Sequence, residues 1–465
     1  MKPSRWRILF AVAAFLALLL ASTGSGARGQ GTGPSREAAE SVPSVRDDAI
    51  GQLTAASAES GGDADSLDSN NASETPAETP ARPARLGPVS TSNVYTPLLA
   101  SVVSSPIPMR GSDGTVRLAY ELKVANATGV DVAIKGVNVL DPLNSDAVAL
   151  SLSEEDVAAN LLVPGSTGLT SVLGPGQSGL LCVNAVFPAI ETVPAVLDHL
   201  ITVSTEGTKG VSSAKSVERI ARTEVNLDVP VTIGPPVEGD RWIAVAGCCD
   251  SYHRFSAIPL NGEWRLAERF AIDWVRLDKH YRLVTGDPKT NRSYPQYGSR
   301  LIAVADGLVS KVQDGIRDGI PGRPHKGLTA ETTSGNYVVL DLGYGLAALY
   351  AHLKRGSIVV REGEWVRKGQ LLGLLGNSGN SDAPHLHFQV MAGQLALASD
   401  GVPYVIDSFT LKGRVVSSDD LVTQLKTPSV PVEIQTVEDM GERRDLMPSN
   451  LSFIEFPARS RDEKR

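Results

Sequence analysis

The chain has 465 residues and a formal net charge of −8, from 44 Lys and Arg against 52 Asp and Glu. This length predicts two or more domains, and the mild acidity argues against a nucleic-acid binder that relies on bulk positive charge. Three cysteines are too few for a disulfide-rich scaffold, and their odd number leaves at least one thiol outside any intrachain disulfide.

The first residues have the layout of a secretory signal peptide. Lys2, Arg5 and Arg7 precede an apolar run at 8–21, and small residues follow it. About 14 apolar residues are too few for an ordinary transmembrane helix. We therefore predict a signal peptide at 1–27 and a secreted or periplasmic bacterial protein with no stable membrane span after cleavage. An uncleaved membrane anchor is the alternative.

Residues 28–94 differ in composition from everything that follows. They contain no Phe, Tyr or Trp, and small and polar residues dominate. Such a segment cannot bury enough apolar area to offset its chain entropy. It is predicted to be a disordered linker.

Residues 95–235 are predicted to form a β-sandwich of immunoglobulin-like form. Apolar residues alternate with polar or small ones, and glycine-bearing turns separate the runs, which is typical of half-buried antiparallel strands. Cys182 and His199 lie within such runs and are interpreted as buried structural residues. The predicted strands are Thr115–Val124, Val130–Leu140, Gly179–Phe187, His199–Thr205 and Glu224–Ile233.

A third region, 236–409, follows a Gly-Pro-Pro segment and is again rich in short strands. Its predicted strands are Leu301–Val304, Gly307–Val312, Asn336–Leu342, Ala347–His352, Gln370–Leu375 and His385–Met391. The segment 410–465 is highly charged and has no clear period. We predict a poorly ordered charged tail there, in which Val430–Ile434 alone adds an edge strand.

Six of the seven histidines fall in the region 236–409. Alternation along a strand projects His385 and His387 to the same face, and neutral imidazole is a good zinc ligand. His352 supplies a third imidazole at a strand end. Asp273 stands inside an apolar stretch, where a carboxylate is costly unless it is paired, hydrogen-bonded or bound to a metal. These residues predict a metal site.

Five segments of this region carry a known pattern in a fixed order. They are Ala303–Val309, Gly335–Val339, Tyr350–Leu353, Gly363–Gln370 and Gly376–Phe388. Together they resemble the M23 peptidase family, the lysostaphin- or LytM-like zinc endopeptidases that cut peptide cross-links in bacterial peptidoglycan. The resemblance covers residues 240–410 and implies a mainly β chain, with an antiparallel β-sheet peptidase domain following the sandwich.

The resemblance also implies residue roles. Asp273 and His387 match zinc ligands, and His352 and His385 match the histidines that activate water and stabilise the developing charge. The implied reaction is zinc-assisted attack of water on a peptide carbonyl. The implied substrate is peptidoglycan or a glycine-containing peptide.

One position departs from the family. The first ligand histidine usually stands four residues before the aspartate, where this chain has Arg269, and arginine stays protonated and cannot bind zinc. We predict His253 as the replacement, because the intervening loop can fold it back beside Asp273. A surface position for His253 is the alternative, and the vicinal Cys248–Cys249 pair is a less favoured thiolate source.

Two functions are therefore weighed. The first is an exported zinc-dependent endopeptidase acting on peptidoglycan cross-links. The alternative is a degenerate, non-catalytic module that binds cell-wall components or regulates a wall hydrolase. Arg269 favours the alternative. The enzyme is favoured because a non-catalytic relative has no chemical need for the four retained residues, Asp273, His352, His385 and His387.

Overall fold

The computed structural model describes residues 94–164, 166, 168–205, 214–249, 252–323, 325–428 and 430–457. The predicted signal peptide and all but the last residue of the predicted linker lie outside these ranges. Within them the chain is mainly β. No helix among the described residues is long and apolar enough to cross a membrane.

The N-terminal part of the described chain forms two sheets with one α-helix, α1, at Glu154–Asn160. Its strands are β1 (Leu98–Val102), β2 (Met109–Arg110), β3 (Val116–Asn126), β4 (Val132–Asp141), β5 (Ala147–Ser153), β6 (Leu161–Leu162), β7 (Val172–Leu173), β8 (Ser178–Phe187), β9 (Val196–Thr205) and β10 (Ala214–Glu224). One sheet has the order β1-β3-β8-β6 with β2 beside β3, and the other has the order β10-β9-β4-β5 with β7 beside β4. Side chains from both sheets, such as Leu118 and Ile134, share one buried core. This is a β-sandwich, and its immunoglobulin-like form stays a prediction.

A larger sheet dominates the C-terminal part, which also contains helix α2 at Ser418–Lys426. The strands are β11 (Val231–Ile233), β12 (Gly239–Val245), β13 (Ile258–Leu260), β14 (Glu263–Arg265), β15 (Ile272–Arg276), β16 (Arg300–Ile302), β17 (Gly307–Gln313), β18 (Asn336–Gly343), β19 (Leu346–Leu353), β20 (Trp365–Val366), β21 (Leu371–Leu374), β22 (Leu386–Ala392), β23 (Asp400–Gly401), β24 (Tyr404–Ile406), β25 (Phe409–Val415), β26 (Ile434–Gln435), β27 (Gly441–Arg443) and β28 (Ser452–Phe456). The main path of the large sheet is β20-β17-β18-β19-β22-β15-β12-β28-β25-β26. All the strand pairs in this sheet are antiparallel.

The prediction for the end of the sandwich was wrong. Of the predicted strand Glu224–Ile233, only Glu224, the last residue of β10, and β11 are extended, and β11 pairs in parallel with β24, beyond the predicted boundary at residue 235. The preceding strand β10 was missed. It lies at a sheet edge and most of its side chains are exposed or half-buried, so its sequence lacks the apolar alternation that marks a strand with one buried face.

The expectation of a poorly ordered tail after residue 409 was also wrong. Strand β28 lies between β12 and β25 within the large sheet, and its Ile454 is fully buried. The charged residues of this segment, such as Lys412 and Glu455, occupy half-exposed positions on those strands. The composition of this segment does not indicate which of its residues are buried, because the strand that pairs with them, β12, lies about 200 positions earlier in the chain.

The centre of the large sheet orients the candidate site. Trp274 in β15 and Leu386 and Phe388 in β22 are fully buried in the main apolar core. Because side chains alternate along a strand, Asp273 and His387 project from the opposite face. The register of β15 and β22 places Asp273 directly opposite His387.

Candidate metal centre

Asp273 and His387 form the middle of the site. They are cross-strand partners on β15 and β22, and His387 Nδ1 lies 3.0 Å from Asp273 Oδ1. Both residues are buried, with 7% exposure each. A pair held by two central strands has little freedom to move apart, so the sheet itself fixes these two donors.

His253 reaches the same carboxylate from a different kind of element. It lies on a single 3₁₀ turn, Tyr252–Phe255, and is 3% exposed. Its Nε2 is 3.4 Å from Asp273 Oδ2, to which the Tyr252 hydroxyl also donates a hydrogen bond. The donor atoms of His253, Asp273 and His387 lie within 4.8 Å of one another. The loop thus folds back as expected, and the role of His253 as a ligand stays a prediction.

His352 and His385 complete the cluster. His352 is the penultimate residue of β19, and its ring centroid lies 4.7 Å from that of His385 and 5.9 Å from that of His387. His385 directly precedes β22, and its Nε2 is 3.6 Å from Asp273 Oδ1. All five predicted site residues therefore come together around Asp273.

Three of the imidazoles have one ring nitrogen tied to a backbone carbonyl. A carbonyl oxygen only accepts hydrogen bonds, so the nitrogen facing it carries the proton, and in the neutral ring the lone pair lies on the other nitrogen. The protonated nitrogen is Nδ1 in each case, which leaves Nε2 with the lone pair. The pairs are His253 with Ala271 at 3.2 Å, His352 with Ser378 at 2.8 Å, and His385 with Ala383 at 2.8 Å.

His387 is oriented by a residue that the sequence reasoning missed. Gln389 Nε2 donates to the Ala267 carbonyl at 2.7 Å, so its Oε1 faces His387 Nε2 at 2.9 Å. His387 Nε2 must therefore carry a proton, and Nδ1 is left facing Asp273. The signal was present in the sequence, because His385, His387 and Gln389 follow one another at period two.

The pKa values in the cluster are shifted because several imidazoles lie close to one carboxylate. Burial raises the pKa of Asp273, but the nearby imidazole charges and the hydrogen bonds from His253 and His387 hold it well below its usual value. Burial lowers the pKa of His387, and the hydrogen bond to Asp273 outweighs this and raises it to about 9. Burial, reinforced by the charges of His385 and His387, holds the pKa of His352 well below its usual value.

This donor set fits a divalent cation. His387 has an oxygen acceptor facing each ring nitrogen, so without a cation it satisfies both only as an imidazolium. A metal ion at the position of the Nδ1 proton removes that requirement. Two imidazoles and one carboxylate in a mixed nitrogen and oxygen set are ligands that Zn²⁺ accepts, with a fourth position left open.

Arg269 does not face the cluster. Its Nη1 donates to Glu121 Oε2 in the sandwich at 2.7 Å, and its Nε donates to the Gly401 carbonyl at 3.0 Å. The guanidinium therefore has partners of its own and contributes no donor atom to the candidate metal centre.

The comparison with known families agrees with this geometry. Residues 293–399 match the sequence model of peptidase family M23. The C-terminal region contains an M23 peptidase domain. The matched segment includes His352, His385 and His387 but begins downstream of His253 and Asp273, so those two residues are assigned from the geometry alone.

Several proteins are similar to part of this chain. The peptidoglycan DD-endopeptidase ShyA of Vibrio cholerae is 31% identical over 30% of this chain and 28% of its own length. ShyB of the same organism, also named a peptidoglycan DD-endopeptidase, is 30% identical over 26% of this chain and 28% of its own length. The chain thus spans less than a third of these relatives. A crystal structure of a zinc-containing peptidase from Vibrio cholerae is 15% identical over 63% of this chain and 83% of that chain, with a TM-score of 0.18.

The three cysteines lie together at the border between the sandwich and the M23 domain, lining one small cavity. Cys248 and Cys249 form a vicinal disulfide, and Cys182 is a buried free thiol whose pKa is raised by burial to about 12. This confirms the interpretation of Cys182 as a buried thiol. Disulfide sulfurs are not thiolates, so the pair does not supply the metal ligand considered as an alternative.

A second cavity borders the histidine cluster of the M23 domain. His352 and His387 form part of its wall, together with polar and apolar side chains from four loops. These include Glu268, Thr333, Ser334, Asn380 and Leu397. The cavity brings the imidazoles within reach of a bound molecule.

Proposed function

We propose that this chain is a zinc-dependent endopeptidase that hydrolyses peptide bonds in peptidoglycan cross-links. The match of residues 293–399 to peptidase family M23 supports a peptidase activity. The observation that carries the metal proposal is the arrangement of lone pairs. His253 and His385 each turn Nε2 toward Asp273, and His387 turns Nδ1 toward it. A buried set of lone pairs around one carboxylate favours a bound cation.

In this proposal His253 Nε2, Asp273 and His387 Nδ1 hold the zinc. A zinc ion held there would supply Lewis-acid chemistry, which polarises a carbonyl and lowers the pKa of water. His352 and His385 handle the proton. Each has Nδ1–H fixed by a carbonyl, so Nε2 is the nitrogen available to accept a proton from water and return it to the leaving amine.

The peptidoglycan substrate is proposed from the relatives. ShyA and ShyB carry the name peptidoglycan DD-endopeptidase and share about a third of their aligned residues with this chain. Export is proposed from the layout of residues 1–27, which would bring the enzyme to its substrate in a periplasm or outside the cell.

The non-catalytic alternative rested on Arg269, and one observation answers it. In this proposal His253 takes the place of the missing imidazole, which its position supports, because its Nε2 is 3.4 Å from Asp273 Oδ2. The number of nitrogen and oxygen donors is therefore sufficient for a catalytic zinc, which typically has three protein ligands.

The test uses the purified full chain. Metal analysis is expected to give about one zinc per chain. His253→Ala and Asp273→Ala are each expected to lose the zinc, whereas His280→Ala, which alters an exposed histidine, retains it. Isolated peptidoglycan is expected to be cleaved, with loss of cleavage on chelation and recovery when zinc is restored.

Two results contradict the proposal in different ways. If the His253→Ala variant binds a full equivalent of zinc, His253 is not the third ligand, but the proposed endopeptidase activity is not contradicted. Full zinc occupancy without cleavage of peptidoglycan or glycine-rich peptides rejects the enzyme and favours the non-catalytic module.

A further inference from the structure

The sandwich contacts the segment that carries His253. Arg254, the next residue, donates a hydrogen bond to the side-chain oxygen of Asn160, the last residue of α1 in the sandwich. The thiol of Cys182 in β8 lies 3.5 Å from the Arg254 carbonyl oxygen and donates to it. Both the side chain and the backbone of the residue after His253 are therefore held by the sandwich.

Apolar packing extends this contact on both sides. Leu180 of β8 forms a buried cluster with Ala257 and Leu266. Ala257 lies two residues beyond the 3₁₀ turn of His253, and Leu266 lies three residues before Arg269. The sandwich therefore packs, through this apolar cluster, against the chain segment between His253 and Asp273.

A buried ion pair joins the two parts close to Asp273. Arg269 and Glu121 lie 2.7 Å apart, and their side chains are only 9% and 3% exposed. Arg269 also donates to Ser104 at 3.2 Å and to the Gly401 carbonyl. Gly401 in turn pairs with Met391 of β22, the strand that carries His387. Removing one member of a buried ion pair leaves an uncompensated charge, so the contact cannot be lost without rearrangement.

His253 needs this support more than the other two donors do. Asp273 and His387 stand on paired central strands, whereas His253 stands on one four-residue turn. A single 3₁₀ turn has little stability of its own. Within the C-terminal part, His253 Nδ1 bonds to the Ala271 carbonyl and the Tyr252 hydroxyl donates to Asp273. The residues that follow His253, Arg254 and Ala257, contact the sandwich.

We propose that the sandwich positions the third metal ligand. Asn160, Leu180 and Glu121 hold the two ends of the loop from His253 to Asp273, and Arg269 serves as the anchor of the C-terminal part on the sandwich. The proposal rests on the proposed function, because it takes His253 as a ligand. Glu121 and Asn160 are positioning residues, since they act on the metal through other residues.

The experiment measures zinc affinity in the full chain by competition with a fluorescent chelator. Glu121→Gln and Asn160→Ala are each expected to weaken zinc binding roughly tenfold to 100-fold, as loss of outer support commonly does. Cleavage of peptidoglycan is expected to return to the wild-type level at saturating zinc. Asp146→Asn is the matched control, because it removes an ion pair with Arg219 on the exposed surface of the sandwich.

A double variant separates positioning from folding. If Glu121 and Arg269 act as one anchor, Glu121→Gln with Arg269→Gln is expected to bind zinc no more weakly than Glu121→Gln alone. Asn160→Ala removes no buried charge, so it tests the proposal even if Glu121→Gln fails to fold. Unchanged zinc affinity in folded Asn160→Ala and Glu121→Gln variants overturns the proposal. Failure of the wild-type chain to bind zinc overturns the proposed function instead.

Discussion

The two parts of the chain bury histidine in opposite ways. In the sandwich, His199 is fully buried, with Nε2 2.8 Å from the Tyr120 hydroxyl and Nδ1 2.9 Å from the Ala221 carbonyl. In the C-terminal part, the inward nitrogens of His253, His385 and His387 face one carboxylate. A hydroxyl can donate to a lone pair, whereas a carboxylate cannot.

This difference separates a structural histidine from a candidate metal ligand. His199, His253 and His387 are all buried, and each has one ring nitrogen hydrogen-bonded to an oxygen acceptor other than Asp273. What differs is the partner of the other nitrogen. A buried lone pair that faces a hydroxyl accepts a hydrogen bond from it. Lone pairs that face the Asp273 carboxylate have no such donor, so they need a proton or a cation.

The largest effect is expected from His385→Ala. Removing an imidazole that transfers a proton is expected to lower the rate of peptidoglycan cleavage by about 10²- to 10⁴-fold, while the zinc content stays at the wild-type level. His280→Ala is the control, since His280 is exposed. If the variant loses zinc as well as activity, His385 is a metal ligand, and the distinction between metal-binding and proton-transferring imidazoles does not hold.

The next effect concerns the pH dependence of sandwich stability. Burial lowers the pKa of His199 to about 4 from its ordinary 6.5, so the unfolded chain takes up a proton at a higher pH than the folded chain does. His199 is therefore expected to cost up to about 3 kcal/mol of unfolding free energy as the pH falls from 6.5 to 4. Replacing it with Gln is expected to reduce that loss.

Urea unfolding followed by circular dichroism at pH 7 and at pH 4.5 measures this effect. The comparison is between wild type, His199→Gln and the exposed control His280→Gln. An identical pH dependence in wild type and His199→Gln would show that the buried histidine is protonated in the folded sandwich, contrary to its described hydrogen bonds.

The smallest effect is expected from Gln389→Leu. Without its acceptor for Nε2–H, His387 is no longer held in the tautomer that presents Nδ1, so zinc affinity is expected to fall roughly tenfold to 100-fold. Chelator competition measures it, with Gln394→Leu on the exposed surface as the control. Equal affinities for wild type and Gln389→Leu would mean that Asp273 alone orients His387.

The strands that carry the site were predictable from local pattern. The predicted strands Ala347–His352 and His385–Met391 correspond to Leu346–Leu353 and Leu386–Ala392. Nearly every residue of both strands is buried, and most of these residues are apolar, so each strand stands out as a short apolar run. The pairing of His385 with His387 on one face was predictable for the same reason.

The contacts of Arg269 and the C-terminal strands were not predictable in this way. Arg269 bonds to Glu121, 148 positions earlier in the chain, and no local period indicates such a partner. The strand Ser452–Phe456 is recognisable only when its neighbours Gly239–Val245 and Phe409–Val415 are in place. Short strands with charged flanks have weak signals of their own.

By itself, the sequence determined that the chain is mainly β, that its C-terminal part resembles M23 peptidases, and that Asp273, His352, His385 and His387 belong to one chemistry. These follow from alternation and from motifs that are local in the chain. Only the tertiary structure decided that His253 reaches Asp273, that the sandwich holds the turn on which His253 stands, and that Arg269 faces away from the site. The physical reason is that such contacts depend on how distant segments pack, and residue periodicity records only which face of a strand is buried.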